Sequence, residues 1–347
     1  MKAKKIIGLC LSAALVIGMV GCQSGSKGSE GSNVQTEASS EKVTLKIGQT
    51  NFAAHGTKAF ALVTAVVSGD QIVEAYLDEF QYMSADSAQG VVNSEGMADN
   101  IIEGKVLASK IENNESYSKT IAEKAGSTVM YADNFAAIQD FVKGKKISEL
   151  EDLVNNKTNE EVTDAVTGAT LVDTSGYIKA ILEAAKQAEG TTGVEFNGSV
   201  EDLKLSQTYF AAHGTKSFAV ASALTDKDKI VLSYIDEYQF MSADGTTGVA
   251  NSTEGLAENV VEGKVLASKR QNSDKYSATM AEKAGSTVKF ADNLNAIQEF
   301  IDGKSLTELE ETTSKTNEEV TDAVSGATLA DTAGYINAVI QAVKSVQ

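Results

Sequence analysis

QIVEAYLDEFQYM, residues 71–83, returns 158 positions later as KIVLSYIDEYQFM, residues 229–241. Both stretches are rich in β-branched and aromatic residues, which suit a pleated, half-buried surface and predict long strands. An apolar run precedes each, at 60–67 and 218–224, with GDQ and DKDK between the runs. Short polar turns of that kind predict antiparallel hairpins. Working outward, VTLKIGQT (43–50) and EDLKLSQT (201–208) alternate apolar and polar residues as further strands.

Helical patterns follow. DNFAAIQDFVKG places Phe135, Ile138, Phe141 and Val142 on one face, with an expected cap at Asp133 or Asn134 and a stop at Gly144. The last helix of each copy carries an apolar stripe: Ile178, Ile181, Leu182 and Ala185, then Ile336, Val339, Ile340 and Val343. Strands followed by helices predict an α+β fold, with two tandem duplicated domains, each a mostly antiparallel sheet with packed helices.

The duplication runs through nearly the whole chain. FAAHGTK, EGKVLASK, AEKAGSTV and KTNEEVTDAV each occur twice, at an offset of 158 that becomes 159 after an inserted residue near Thr253 and then returns to 158. A period this long makes each copy a domain rather than a solenoid unit. The expected boundaries are 1–21 signal peptide, 22–42 lipidated cysteine and flexible tether, 43–188 first domain, 189–200 linker and 201–347 second domain.

The N-terminus has a basic start (Lys2, Lys4, Lys5), an apolar stretch at 6–19 and Met-Val-Gly-Cys at 19–22. That stretch is short for a membrane span and has the length of a signal core. The pattern resembles a bacterial lipobox, which implies cleavage before Cys22 and its lipidation; an ordinary secretory signal is the alternative. Cys10 and Cys22 are the only cysteines, so the domains have no disulfide, thiolate nucleophile or cysteine metal site. The formal charge is −18; three lysines and no acids precede Cys22, leaving −21 on the remainder. That balance argues against a nucleic-acid partner, for want of a cationic track.

DAVTGATLVDT (164–174) recurs as DAVSGATLADT (322–332), each time just before the last helix. Asp173 or Thr174 can cap that helix, and small residues at Gly168 and Ala169 let a ligand approach backbone N–H groups. From composition a plain helix-entry turn is the default reading, with a phosphate site the alternative. The motif D-x-x-[ST]-G-A-T, however, resembles the flavinylation motif of the FMN-binding domain family. In that family a flavin transferase joins FMN to the last threonine through a phosphoester. The resemblance implies covalent FMN on Thr170 and Thr328. Asp164, Thr167, Gly168 and Ala169 match the rest of the first motif, and Asp322, Ser325, Gly326 and Ala327 the second. With the lipobox and tether, the chain resembles the flavinylated lipoproteins of Gram-positive extracellular electron transfer. The function this implies is an electron carrier anchored by lipid on the outer face of the cell membrane. It would take electrons from a membrane quinone-linked dehydrogenase system and pass them to ferric iron or free flavins. Two rivals remain: an electron-donating subunit of a specific extracellular reductase, and an unflavinylated surface lipoprotein that binds a ligand or partner.

His55 and His213, the only histidines, read as flavin contacts, as proton donors or as structural residues; no patterned ligands accompany them to suggest a metal. Lys58 and Lys216 are candidates for pairing with flavin or phosphate oxygens, or are solvated lysines. Phe80, Tyr82, Tyr238 and Phe240 are candidate stacking rings, with one ring of each set expected in the core. The loops at Gly90, Gly96, Gly245 and Gly248 are candidate lips of the same pocket.

Overall fold

A computed structural model describes Lys42–Ser345. The lipobox, Cys22 and nearly all of the expected tether lie outside the described residues. Among the described residues nine strands form two antiparallel sheets. The first copy contributes β1 (Val43–Phe52), β2 (Ala59–Ser68), β3 (Gln71–Ser84) and β4 (Lys105–Ser109), the second β6 (Lys204–Phe210), β7 (Ser217–Asp226), β8 (Lys229–Ser242) and β9 (Lys264–Ser268). Between them, β5 (Val194–Phe196) pairs with β1, so the expected linker supplies a fifth strand to the first sheet. Phe196 draws it there, packing with Leu45, Ile47 and Leu203.

The helices of the first copy are α1 (Ser94–Met97), α2 (Asn114–Ala125), α3 (Tyr131–Val142), α4 (Ile147–Asn156), α5 (Asn159–Ala165) and α6 (Thr174–Glu189). Those of the second are α7 (Ser273–Ala284), α8 (Phe290–Ile301), α9 (Leu306–Thr313), α10 (Asn317–Ala323) and α11 (Thr332–Lys344). The α+β class expected from the sequence is what the chain adopts. Among the described residues no helix is long and apolar enough to cross a membrane.

Strand β2 explains the layering. It is apolar at almost every position and buried along its length, as a strand covered on both faces must be. Ala61, Val63, Ala65 and Val67 face the helices, with Ile178, Ile181 and Ala185 of α6. Phe60 and Leu62 face the other way, into a core shared with Phe218, Val220, Tyr238 and Phe240 of the second copy. The copies are therefore joined sheet against sheet, with their helices outside. Phe60, Phe80, Phe218 and Tyr238 form a continuous run of stacked rings across that interface. Near its centre the equivalent residues Thr64 and Ser222 meet at 3.0 Å, and Gln207 accepts from Thr64 at 2.9 Å. Phe80, Tyr82, Tyr238 and Phe240 are all buried here. They are core rings and not the stacking rings suggested by the sequence: residues two apart on a strand share one face, and that face is closed by the other copy.

Two acids are held protonated by the fold to unusually high pH. Burial pushes Asp78 up to about 6 against hydrogen bonds from Ser109 and Tyr209, and pushes Asp302 up to about 7 against a hydrogen bond from Ser233. Each binds a proton more tightly folded than unfolded. The stability this contributes is full below the unfolded values, about 4, and is lost as pH rises through 6–7. The capping carboxylates Glu161, Glu308 and Glu319 are lowered by their Thr or Ser partners and act oppositely, losing their contribution below about pH 4. The melting temperature should thus rise as pH falls from 8 to 5 and drop again below 4. A melting temperature that climbs steadily from pH 5 to 8 would contradict this assignment.

Candidate functional site

The Gly-Ala-Thr turn is shaped by its own hydrogen bonds. The Ala169 N–H donates to Val166 O at 3.0 Å, and the Thr163 hydroxyl donates to Leu171 O at 3.1 Å. Gly168 sits at φ +96° and Gly326 at +90°, a region that penalises any Cβ. Thr170 and Thr328 end the turns, both exposed. The Thr170 N–H donates to Asn134 Oδ1 at 2.6 Å and its hydroxyl to the same oxygen at 3.1 Å. Thr328 repeats this on Asn293 at 2.6 and 3.2 Å.

Asn134 was expected near the cap of its helix. Instead α3 begins earlier, at Tyr131. Its first N–H groups are satisfied from α2: Ser118 Oγ accepts from Tyr131 N and Asn114 Oδ1 from Ala132 N, at 2.8 and 2.9 Å. Asn134 is left fully buried inside the helix, its Nδ2 donating to Met130 O at 2.9 Å and its Oδ1 serving the threonine.

Asp173 does occupy the N-cap position of α6, but its side chain makes no cap bond. It accepts from His55 Nδ1 at 2.6 Å, and Asp331 accepts from His213 at the same distance. The two histidines are about half-exposed. Each pair joins the FAAHGTK loop to the turn bearing the threonine. Gly176, in the first turn of α6, permits this approach: a Cβ there would lie 2.2 Å from Ala54 O. Gly176→Ala should cost about 1–3 kcal/mol through overpacking and shift the His55 imidazole resonance, with a chemical melt and an NMR spectrum as the checks.

These groups line one cleft per copy. The first, about 340 Å³, is bounded by His55, Thr170 to Asp173, Tyr117, Tyr131 and Tyr177. The second, about 650 Å³, has His213, Thr328 to Asp331, Tyr276, Phe290 and Tyr335. Gly126, Ser127 and Thr128 complete the first rim and Gly285, Ser286 and Thr287 the second. These come from the repeated AEKAGSTV, whose recurrence was visible in the sequence though its role was not.

A buried ion pair supports each floor. Glu79 pairs with Lys110, and its Oε2 also accepts from Tyr131 and Tyr177 at 2.9 and 3.1 Å. Glu237 pairs with Lys269 at 2.6 Å and accepts from Tyr335 at 2.7 Å, while the Ser217 hydroxyl donates to its Oε1 at 2.6 Å. Among the described residues Glu79 Oε1 has no hydrogen-bond partner. The Lys110 ammonium lies 4.5 Å from the Tyr117 ring centroid.

The remaining sequence candidates lie elsewhere. Asp164, Thr167, Gly168 and Ala169 do not line the first cleft, nor Asp322, Ser325, Gly326 and Ala327 the second; they shape the turn or sit on its outer side. Lys58 pairs with Glu258 of the other copy at 3.2 Å, and Lys216 is exposed outside the cleft lining. The loops at Gly90, Gly96, Gly245 and Gly248 likewise form no cleft lip. Among the described residues no hydrogen bond joins either threonine hydroxyl to a histidine, so the Thr, His and Asp do not form a nucleophile–base–acid chain. Comparisons with family models, with curated proteins and with solved structures find no match.

Proposed function

We propose that the chain is a membrane-tethered electron carrier holding two FMN groups, one esterified to Thr170 and one to Thr328. The observation that carries this reading is the pairing of each exposed threonine hydroxyl with a buried asparagine, at the rim of a cleft that contains a His–Asp pair and aromatic side chains. The residues present fit a flavin. Both cleft volumes lie within the ~300–1,000 Å³ usual for small-molecule sites, and their aromatic side chains offer apolar faces and edges to a ring system.

Asn134 and Asn293 fix the orientation of the threonine oxygen that forms the new bond to phosphorus. His55 and His213, held at Nδ1 by a carboxylate, keep Nε2 for proton exchange at the cleft. Bound flavin supplies the redox chemistry, which no side chain here can replace. An acidic surface repels an anionic cofactor, so covalent attachment keeps it where simple affinity would lose it to dilution. On this reading a flavin transferase is the obligatory partner, a membrane quinone-linked system the donor, and ferric iron or free flavin the acceptor, with Cys22 as the anchor.

Intact mass tests it. Protein made with an active transferase and its export route should gain two FMN groups less two waters, and Thr170→Ala and Thr328→Ala should each lose one group. An unchanged mass beside a transferase shown to modify another substrate would sink the proposal and leave the ligand-binding lipoprotein as the better reading.

A further inference from the structure

The FAAHGTK loop of each copy is gripped by the other copy. Asn251 Nδ2 donates to Gly56 O at 2.9 Å and to Ala59 O at 2.7 Å, bracketing the segment that follows His55. In the opposite direction Asn93 Nδ2 donates to Gly214 O at 3.0 Å and Ser217 O at 2.8 Å, bracketing the segment after His213. Both asparagines adopt left-handed backbone, φ 66° at Asn93 and 63° at Asn251, which asparagine tolerates better than most residues. A glycine then presses on the gripped loop in each case. A Cβ on Gly96 would lie 1.8 Å from Thr215 O, and one on Gly255 2.7 Å from Thr57 Oγ1. The inserted residue of the second copy falls between Asn251 and Gly255, yet the asparagine clamp and the glycine contact are both preserved. The flanking chains are tied by an antiparallel bridge between Ile101 and Val260.

We infer that each cleft is completed by the opposite copy: Asn251 positions the His55 loop and Asn93 positions the His213 loop. The route is short. The asparagine sets the loop carbonyls, the loop sets the histidine, and the histidine holds the aspartate three residues past the threonine. Neither copy carries all the contacts that build its own cleft. The duplication therefore makes two interdependent sites and not two spare ones, and this holds whatever the clefts bind.

The two histidines provide a direct readout, since the chain has no others. In the full chain labelled with 15N-histidine, Asn251→Gly keeps the left-handed backbone but removes the donor amide. It should shift the His55 imidazole signals and leave those of His213 in place; Asn93→Gly should do the reverse. If either variant fails to fold, Gly255→Ala and Gly96→Ala press on the same loops and should give the same crossed pattern. A shift confined to the histidine of the mutated copy, equal shifts of both, or no shift in a folded variant would overturn the inference.

Discussion

If the proposed flavinylation holds, FMN on Thr170 of Asn134→Ala should accumulate at least tenfold more slowly than on Thr328 in the same molecule. The alanine removes the one acceptor that holds both the Thr170 N–H and its hydroxyl. The exposed hydroxyl then rotates freely, and loss of orientation at a reacting atom costs up to about 10²-fold in rate. Thr328 keeps Asn293 and serves as the internal control. Asn134→Asp separates orientation from packing. It keeps an acceptor for the threonine and loses the amide donor to Met130 O, which retains the Asn134 backbone N–H; its larger cost is a carboxylate buried without a cation. Modification of Thr170 should therefore survive better in the aspartate variant than in the alanine variant, even if the aspartate variant melts earlier. Quantitative peptide mapping over time reads both sites together. Equal rates at the two threonines in Asn134→Ala would remove the positioning role.

Much of this architecture was legible because alternation and repetition are local signals. The long strands expected at 71–83 and 229–241 emerged as β3 and β8, and the final stripes became the buried faces of α6 and α11. The continuous apolar run of β2 was legible as a strand, but not what covered its second face, because that cover comes from the other copy. The same blindness sent Phe80 and Tyr82 to the wrong side in the reading of the site. Asn134 looked like a cap because asparagine caps helices well. The sequence could not reveal that Ser118 and Asn114 had taken over that task. The threonines and histidines stood out by motif and scarcity. Tyr117, Tyr131 and Tyr177 did not, since three helices bring them together across the chain.

Lys110→Met should destabilise the protein by about 3–5 kcal/mol, the usual effect of stripping one partner from a buried ion pair. Both side chains of that pair are fully buried, so Glu79 would keep only the two tyrosine hydroxyls. The sheets share one core, so urea should report a single earlier transition and not the loss of half the molecule. The double variant Lys110→Met, Glu79→Leu separates the cost of an orphaned charge from the worth of the pair. Removing both charges should recover most of the loss, because well-packed apolar side chains commonly replace buried pairs at little cost. The second copy should recover less. Without Glu79, Tyr131 and Tyr177 still bond each other at 3.1 Å. Without Glu237, Tyr335 loses the one hydroxyl partner it has, since Phe290 stands where Tyr131 stands in the first copy. A stranded buried hydroxyl costs about 1–3 kcal/mol, so Lys269→Met, Glu237→Leu should remain below its counterpart by roughly that amount. Equal recovery in both copies would mean that the tyrosine pair beneath the first cleft contributes nothing to its floor.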